Sequence, residues 1–182
     1  MCRLCKEKPV YKFTNQRTLC KNCFINYFHK KILYTIRKFG MIKPQDLVGY
    51  KKSNNFKGIV LEEILGFLSK KYGFNIVKLP NKKANKIADD SSLDSESDEI
   101  IKTIIKGNIN TLKKSLPVEK NIVKPLYLFL DEEILLYAHL KNLKFKSIKE
   151  KKDKIKEFTN EFEKNHPEVK RATVNSVLKL YE

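Results

Sequence analysis

No stretch of this 182-residue chain approaches the roughly 18 unbroken apolar residues of a membrane span, and its first residues lack the apolar run of a signal peptide. A cytosolic protein without a membrane partner is the expectation. Cysteine is scarce as well: there are four, all between Cys2 and Cys23, so nothing beyond the first knuckles offers a thiol. Histidine occurs three times, as His29, His139 and His166. They fall on a basic helix, on an apolar-flanked helix and at the turn before Pro167, and each reads as structural or solvent-facing rather than catalytic. Acids are nearly missing from the first 45 residues, where Glu7 stands alone against eleven Lys and Arg. That stretch carries +10 of the chain's net +17. A hydrophobic content of 41% is ordinary and excludes a disordered chain, and the length suits one domain with a small appendage.

What is present begins with the cysteines. Cys2-x2-Cys5-x14-Cys20-x2-Cys23 has the spacing of a four-thiolate zinc ribbon, each knuckle placing two sulfurs on one side of a tetrahedral ion. In a reducing compartment such a pattern is a metal site before it is a disulfide framework. With four thiolates and no open position, a zinc ion here is structural and supplies folding free energy to a small unit. Val10 to Phe13 alternates like a strand, and Asn15-Gln16 can turn the chain back toward Leu19.

After Cys23, Phe24, Tyr27, Phe28, Ile32, Tyr34, Ile36 and Phe39 recur near helical spacing, with basic residues among them, up to a stop at Gly40. A pI near 9.6 favours a polyanionic partner, because each neutralised phosphate releases condensed counterions. A Lys/Asn/Ile bias is also what an AT-rich genome produces, so the concentration of charge near the ribbon matters more than the total. Arg3, Lys6, Lys8, Arg17, Lys21, Lys30, Lys31, Arg37 and Lys38 are the candidates for phosphate contacts, while the helix aromatics are expected to face the core in preference to stacking on bases.

Beyond Lys43-Pro44 the order changes to strand (46–50), amphipathic helix (58–72, closed by Gly73), strand (74–79) and a brief strand at Ile87-Ala88, the start of an α/β layer. Residues 89–99 hold six acids and no base, which reads as a solvated loop leading into a helix N-terminus. A helix through Ile100 and Ile105 ends at Gly107. Residues 108–122 are basic and partly irregular, and residues 124–130 are apolar, suiting a strand or an extended linker. Helices are expected from Asp131 to Asn142, over 147–165 and over 170–181.

Several segments, in order, resemble the tRNA 2-thiolation enzymes of the TtcA/TtuA type, N-type ATP pyrophosphatases that adenylate a tRNA base and then install sulfur. They are CRLC…RTLCKNCF…YFHKKILYTIRKFGMI, LEEILGFLSKKYGFNIV, LDSESDEIIKTIIKGN and KPLYLFLDEEILLYAHLKNL. The resemblance implies an α/β fold: an N-terminal zinc ribbon (1–25), a basic connecting helix (26–45), a reduced Rossmann-like parallel sheet core of the adenine nucleotide α-hydrolase type (46–130) and C-terminal helices (131–182).

The departures from that family bear on function. Its pyrophosphate loop reads Ser-Gly-Gly-Lys-Asp-Ser, where this chain has Ser53, Asn54, Asn55, Phe56, Lys57 and Gly58. Side chains replace both glycines whose missing Cβ lets phosphate approach the backbone. The family's Gly-His-Asn-Leu-Asp-Asp corresponds to residues 90–95, in which Leu93 and Asp94 survive, so the acidic stretch is better explained as a remnant catalytic loop. The family's central cysteines and second ribbon have no counterpart, so an iron–sulfur cluster is not expected and ATP with magnesium is doubtful. The expected function is a catalytically inactive relative that binds tRNA or another structured RNA through the ribbon and basic helix. The alternatives are a noncatalytic partner of a full-length paralogue, or of a second copy of itself, and an active sulfurtransferase with an altered loop and Asp94 as its acid or base.

Overall fold

A computed structural model describes residues 1–146 and 153–181 of the chain. The chain opens with a two-stranded antiparallel hairpin, β1 (Tyr11–Lys12) and β2 (Thr18–Leu19), in which Tyr11 faces Leu19. Helix α1 (Lys21–Lys38) follows directly, with Cys20 as its extended N-cap. Its first turn carries no acid and its last turn holds Arg37 and Lys38, which suits the helix dipole at the C-terminal end. Phe24, Phe28, Ile32 and Ile36 recur every fourth residue and form the buried stripe.

Helix α1 leads into β3 (Leu47–Tyr50), α2 (Phe56–Tyr72), β4 (Asn75–Lys78) and β5 (Lys86–Ala88). Gly73 closes α2 in the left-handed conformation, φ +74°, which a side chain would disfavour. Helix α3 (Leu93–Ile105), a 3-10 turn at Ile109–Ser115, β6 (Val118–Glu119) and β7 (Ile122–Val123) come next, then α4 (Asp131–Leu140), α5 (Lys154–Asn165) and α6 (Val169–Leu180). The five-stranded sheet has the order β4-β3-β5-β7-β6. Its first four strands are parallel and β6 is the antiparallel edge. This is the expected α/β architecture with a Rossmann-like parallel core and a cysteine cluster at the amino end.

One hydrophobic core runs from Cys2, Leu19 and Cys20 through Phe24 and Phe28 to Val48, Leu65, Phe129 and Tyr137. The ribbon is therefore packed onto the body rather than hung from it. Phe28 stacks on Tyr137 at 4.1 Å and meets Phe129 at 4.3 Å, while the Tyr11 hydroxyl donates to Glu132 at 2.5 Å. A smaller cluster of Leu93, Ile100, Leu112, Tyr127, Val174 and Val177 joins α3 to α6.

Three expectations change. Residues 124–130 form turns, not a strand, because the ladder is already made by Ile122 and Val123. Leu126, Tyr127 and Phe129 are buried there all the same. Three of the four acids of α3 are not solvated: Asp94, Glu96 and Asp98 are buried, and only Glu99 is exposed. The helix expected over 147–165 begins at Lys154 with Asp153 as its cap, and residues 147–152 lie outside the described ones.

Candidate functional site: a four-thiolate centre and a filled phosphate loop

The first knuckle is shaped by its backbone. The Cys2 N–H donates to the Glu7 carbonyl at 2.8 Å and the Lys6 N–H to the Cys2 carbonyl at 3.0 Å, with Lys6 at φ +63°. The second knuckle straddles the start of α1, so Cys23 lies in the first turn, where unpaired N–H groups favour a thiolate. The hairpin brings the two knuckles together. Cys5 and Cys20 have their sulfurs 3.3 Å apart, Cys23 and Cys5 3.6 Å, and all four sulfurs lie within 4.8 Å of one another. These are the spacings of sulfurs gathered round one ion through metal–thiolate bonds of about 2.3 Å.

The basic candidates divide around this centre. Arg3, Lys6, Lys8, Lys21, Lys30, Arg37 and Lys38 are exposed. Arg17 is half-buried, its guanidinium 4.3 Å from the Phe13 ring centre. Lys31 is taken out of the set. Its ammonium lies 2.7 Å from Glu133, whose side chain is fully buried and also accepts from the Tyr27 hydroxyl at 2.8 Å and the Leu130 N–H at 2.9 Å. Burial pushes the Lys31 ammonium pKa down, and Glu133 pulls it back. It is the tie between α1 and α4. His29 is structural too, 2.8 Å from the Tyr137 hydroxyl and stacked on Phe67.

The second candidate lies where the strand order reverses between β3 and β5, the place at which parallel sheets open a crevice beyond their carboxyl ends. There the loops after β3, β5 and β7 meet. The Ser53 hydroxyl accepts from the Asn55 N–H at 3.2 Å, and the Asn55 side chain caps α2 by accepting from Gly58 N–H at 2.7 Å. The Asn54 carbonyl accepts from Lys146 N–H at 2.8 Å, and Phe56 packs edge-on to Phe145. Lys57 reaches into the crevice but is fully engaged, 2.8 Å from Asp131, 3.0 Å from Ser92 and 2.7 Å from Ser95. Asp131, read from the sequence only as the start of a helix, is thus the central acid of the crevice. No local pattern marks it.

Gly58 shows how little room is left. A Cβ at this position would meet the Ser53 Cβ at 2.4 Å and Asp90 Oδ2 at 3.3 Å. Burial, then the neighbouring Asp89 charge, push the Asp90 carboxyl upward in pKa, with Asn55 and Lys57 opposing. Gly58→Ala is expected to cost about 1–3 kcal/mol by overpacking, visible as a lower melting temperature. Pairing it with Ser53→Gly should recover much of the loss. Asp94, the surviving acid of the family's motif, is committed elsewhere: it accepts from Lys170 Nζ at 2.5 Å and from the Asp131 N–H at 2.7 Å.

No protein-family model matches the chain. Among curated proteins it is 26% identical over 144 residues to the cytoplasmic tRNA 2-thiolation protein 1 of Meyerozyma guilliermondii, covering 78% of this chain and 37% of that protein. The protein of the same name in Dictyostelium discoideum is 32% identical over 78 residues, 42% of this chain and 22% of its own length. The chain thus spans little more than a third of the curated relatives it matches. Among solved structures, the U34-tRNA thiolase NcsA from Methanococcus maripaludis with its [4Fe-4S] cluster superposes with a TM-score of 0.81 at 19% identity, over 98% of this chain and 86% of that one.

That structure corrects the expectation of zinc with iron–sulfur excluded. A protein of this fold carries an iron–sulfur cluster, and Cys2, Cys5, Cys20 and Cys23 form an all-thiolate set of the chemistry such centres use. The Cys-x2-Cys spacing reports four thiolates and not their metal, because zinc and iron–sulfur share these ligands. Among the described residues, no helix is long and apolar enough to cross a membrane. By sequence the chain is similar to the cytoplasmic tRNA 2-thiolation proteins, and its fold is that of a tRNA thiolase.

Proposed function

We propose that the chain is a cytoplasmic RNA-binding protein that holds tRNA, or another structured RNA, against its cysteine-stapled basic end and performs no nucleotide chemistry of its own. The observation that carries the second half is the filled phosphate loop. Anionic phosphates approaching the α2 N-terminus would meet Asp90 against Gly58 and a cap already supplied by Asn55. The cation they would need, Lys57, is neutralised by Asp131. These residues do not fit the phosphates of ATP.

The binding half is supported by the seven exposed basic candidates on the ribbon and α1, none of which makes an ion pair among the described residues. Phosphate contacts of this kind set register and affinity and are salt-dependent. The four thiolates hold the ribbon in shape as an iron–sulfur centre in this reading. The donor set and the cluster of the structural neighbour support it.

Titration calorimetry and tRNA gel shifts test the two halves separately. ATP with magnesium is expected to give no binding heat. tRNA affinity should fall steadily with rising salt, and Lys30→Glu with Arg37→Glu should weaken it by about tenfold or more. Micromolar ATP binding would overturn the noncatalytic half, and a salt-insensitive tRNA affinity the other.

A further inference from the structure

We propose that the cleft between the first cysteine knuckle and the outer face of α1 is a subsite for one unstacked base of a single-stranded RNA loop. Tyr34 is its stacking face, and Arg17 and Lys30 hold the adjoining phosphate. The proposal rests on the RNA-binding reading above and deepens it.

The cleft measures about 480 Å³ and is walled by Leu4, Arg17, Cys23, Asn26, Lys30 and Tyr34. That volume lies within the roughly 300–1,000 Å³ range of small-ligand sites. Its helical wall follows from the register of α1. Positions 26, 30 and 34 are two residues out of step with the buried 24, 28, 32, 36 stripe, which turns them to the opposite face. On that face Tyr34 is 57% exposed, and Leu4 across the cleft is 70% exposed. An exposed tyrosine on a basic stripe is a sequence-tolerant platform for a base.

The charge around it is selective. Lys31 at the cleft floor is cancelled by Glu133, and among the described residues no acid lines the cleft, so Arg17 and Lys30 set its sign. Arg17 is also oriented. Its guanidinium sits 4.3 Å from the Phe13 ring centre and 5.3 Å from that of Tyr27, and its Nε is buried with no hydrogen-bond partner among the described residues. A desolvated, fixed and unused donor is costly to leave unpaired, and a phosphate oxygen is the acceptor to which an Arg donates most readily. Asn26 places an amide, donor and acceptor together, on the same wall for the edge of a base. A duplex keeps its bases stacked and cannot fill this cleft, whereas a loop can splay one out.

The test compares a stem-loop RNA carrying 2-aminopurine in its loop with a fully paired duplex of equal length. The loop is expected to bind with a change in 2-aminopurine fluorescence. Tyr34→Ala should weaken it about tenfold while leaving duplex affinity unchanged, and Tyr34→Phe should restore it. Tyr34 is outside the core, so both variants should melt as the parent does. Equal affinity for loop and duplex, with no effect of Tyr34→Ala, overturns the subsite and leaves RNA binding standing. Failure of both RNAs to bind at low salt overturns the RNA-binding reading and the subsite with it.

Discussion

Replacing Lys170 with methionine should destabilise the protein by about 3–5 kcal/mol, the usual consequence of stranding a buried charge. Lys170 is the hub of the C-terminal half. Its side chain is 4% exposed, and its ammonium lies 2.5 Å from Asp94, 2.7 Å from Glu163 and 2.9 Å from Asn160. Asp94 in turn accepts the Asp131 N–H at the first turn of α4. Methionine fills much of the same volume, so lost packing contributes little and the two carboxylates left behind contribute most. Burial already pushes Glu163 up in pKa while Lys170 holds it down; without the lysine it rises further. A carboxyl whose folded pKa lies above its unfolded value destabilises most at high pH and is relieved as protonation proceeds. The gap between Lys170→Met and the parent should therefore narrow between pH 7 and pH 4.5 in urea unfolding. A uniform gap across that range would mean the loss is packing and not charge. Asp94→Asn in the Lys170→Met background should recover part of the stability, since it removes one of the stranded charges.

The same pair bears on function. In the resemblance to the thiolation enzymes, Asp94 is the one surviving acid of a catalytic motif. Here both of its oxygens are engaged, one by an ammonium and one by a backbone N–H, and it sits at the joint of α3, α4 and α6. A carboxylate so held is a positioning group for helices.

Local pattern sufficed wherever neighbours in sequence are neighbours in space. The every-fourth-residue stripe of α1, the Ile64, Leu65 and Leu68 face of α2, the strand–helix–strand order and the four converging thiols all have short-range causes. What could not be read was which charges spend themselves inside the protein. Lys31 looked like its neighbour Lys30, but Glu133, more than a hundred residues later, claims it. Asp94, Glu96 and Asp98 of α3 looked solvated because their partners, Lys170, Lys124 and Thr159, lie far along the chain. Lys124 to Leu130 is apolar enough for a strand. An unbroken apolar run does not separate a strand from a buried turn, and Pro125 lacks the N–H a central strand would need. Tyr34 was legible in principle. Its place two residues off the buried stripe marks it as outward-facing, although a count of apolar residues groups it with the core.

Cys20→Ser is expected to release the metal and unfold the amino-terminal unit while leaving the α/β core in place. The reason is the smallness of what the metal holds. Strands β1 and β2 are two residues each, and an isolated hairpin of that kind is marginal in water. Only Leu19, Cys2 and Cys20 of the first twenty residues are fully in the core. Metal binding is therefore folding free energy for this unit. Cys20 is the most damaging of the four to change, because it is buried, caps α1 and carries the backbone from hairpin to helix. In hydrogen exchange, residues 1–20 should lose protection in the variant while β3, α2 and β5 keep theirs. Because the same collapse removes Leu4 and Arg17 from the cleft wall, tRNA affinity should fall about tenfold or more. Iron and sulfide analysis of the parent reads the centre itself. Coloured protein with iron lost in Cys20→Ser is the expected result, and the ratio of sulfide to iron separates one ion, which the 3.3 Å and 3.6 Å sulfur spacings suit, from a cluster that would have to part the knuckles. A colourless, iron-free parent with a fully protected hairpin would overturn the iron–sulfur assignment. Unchanged protection in Cys20→Ser would overturn the claim that the centre holds this end of the chain together.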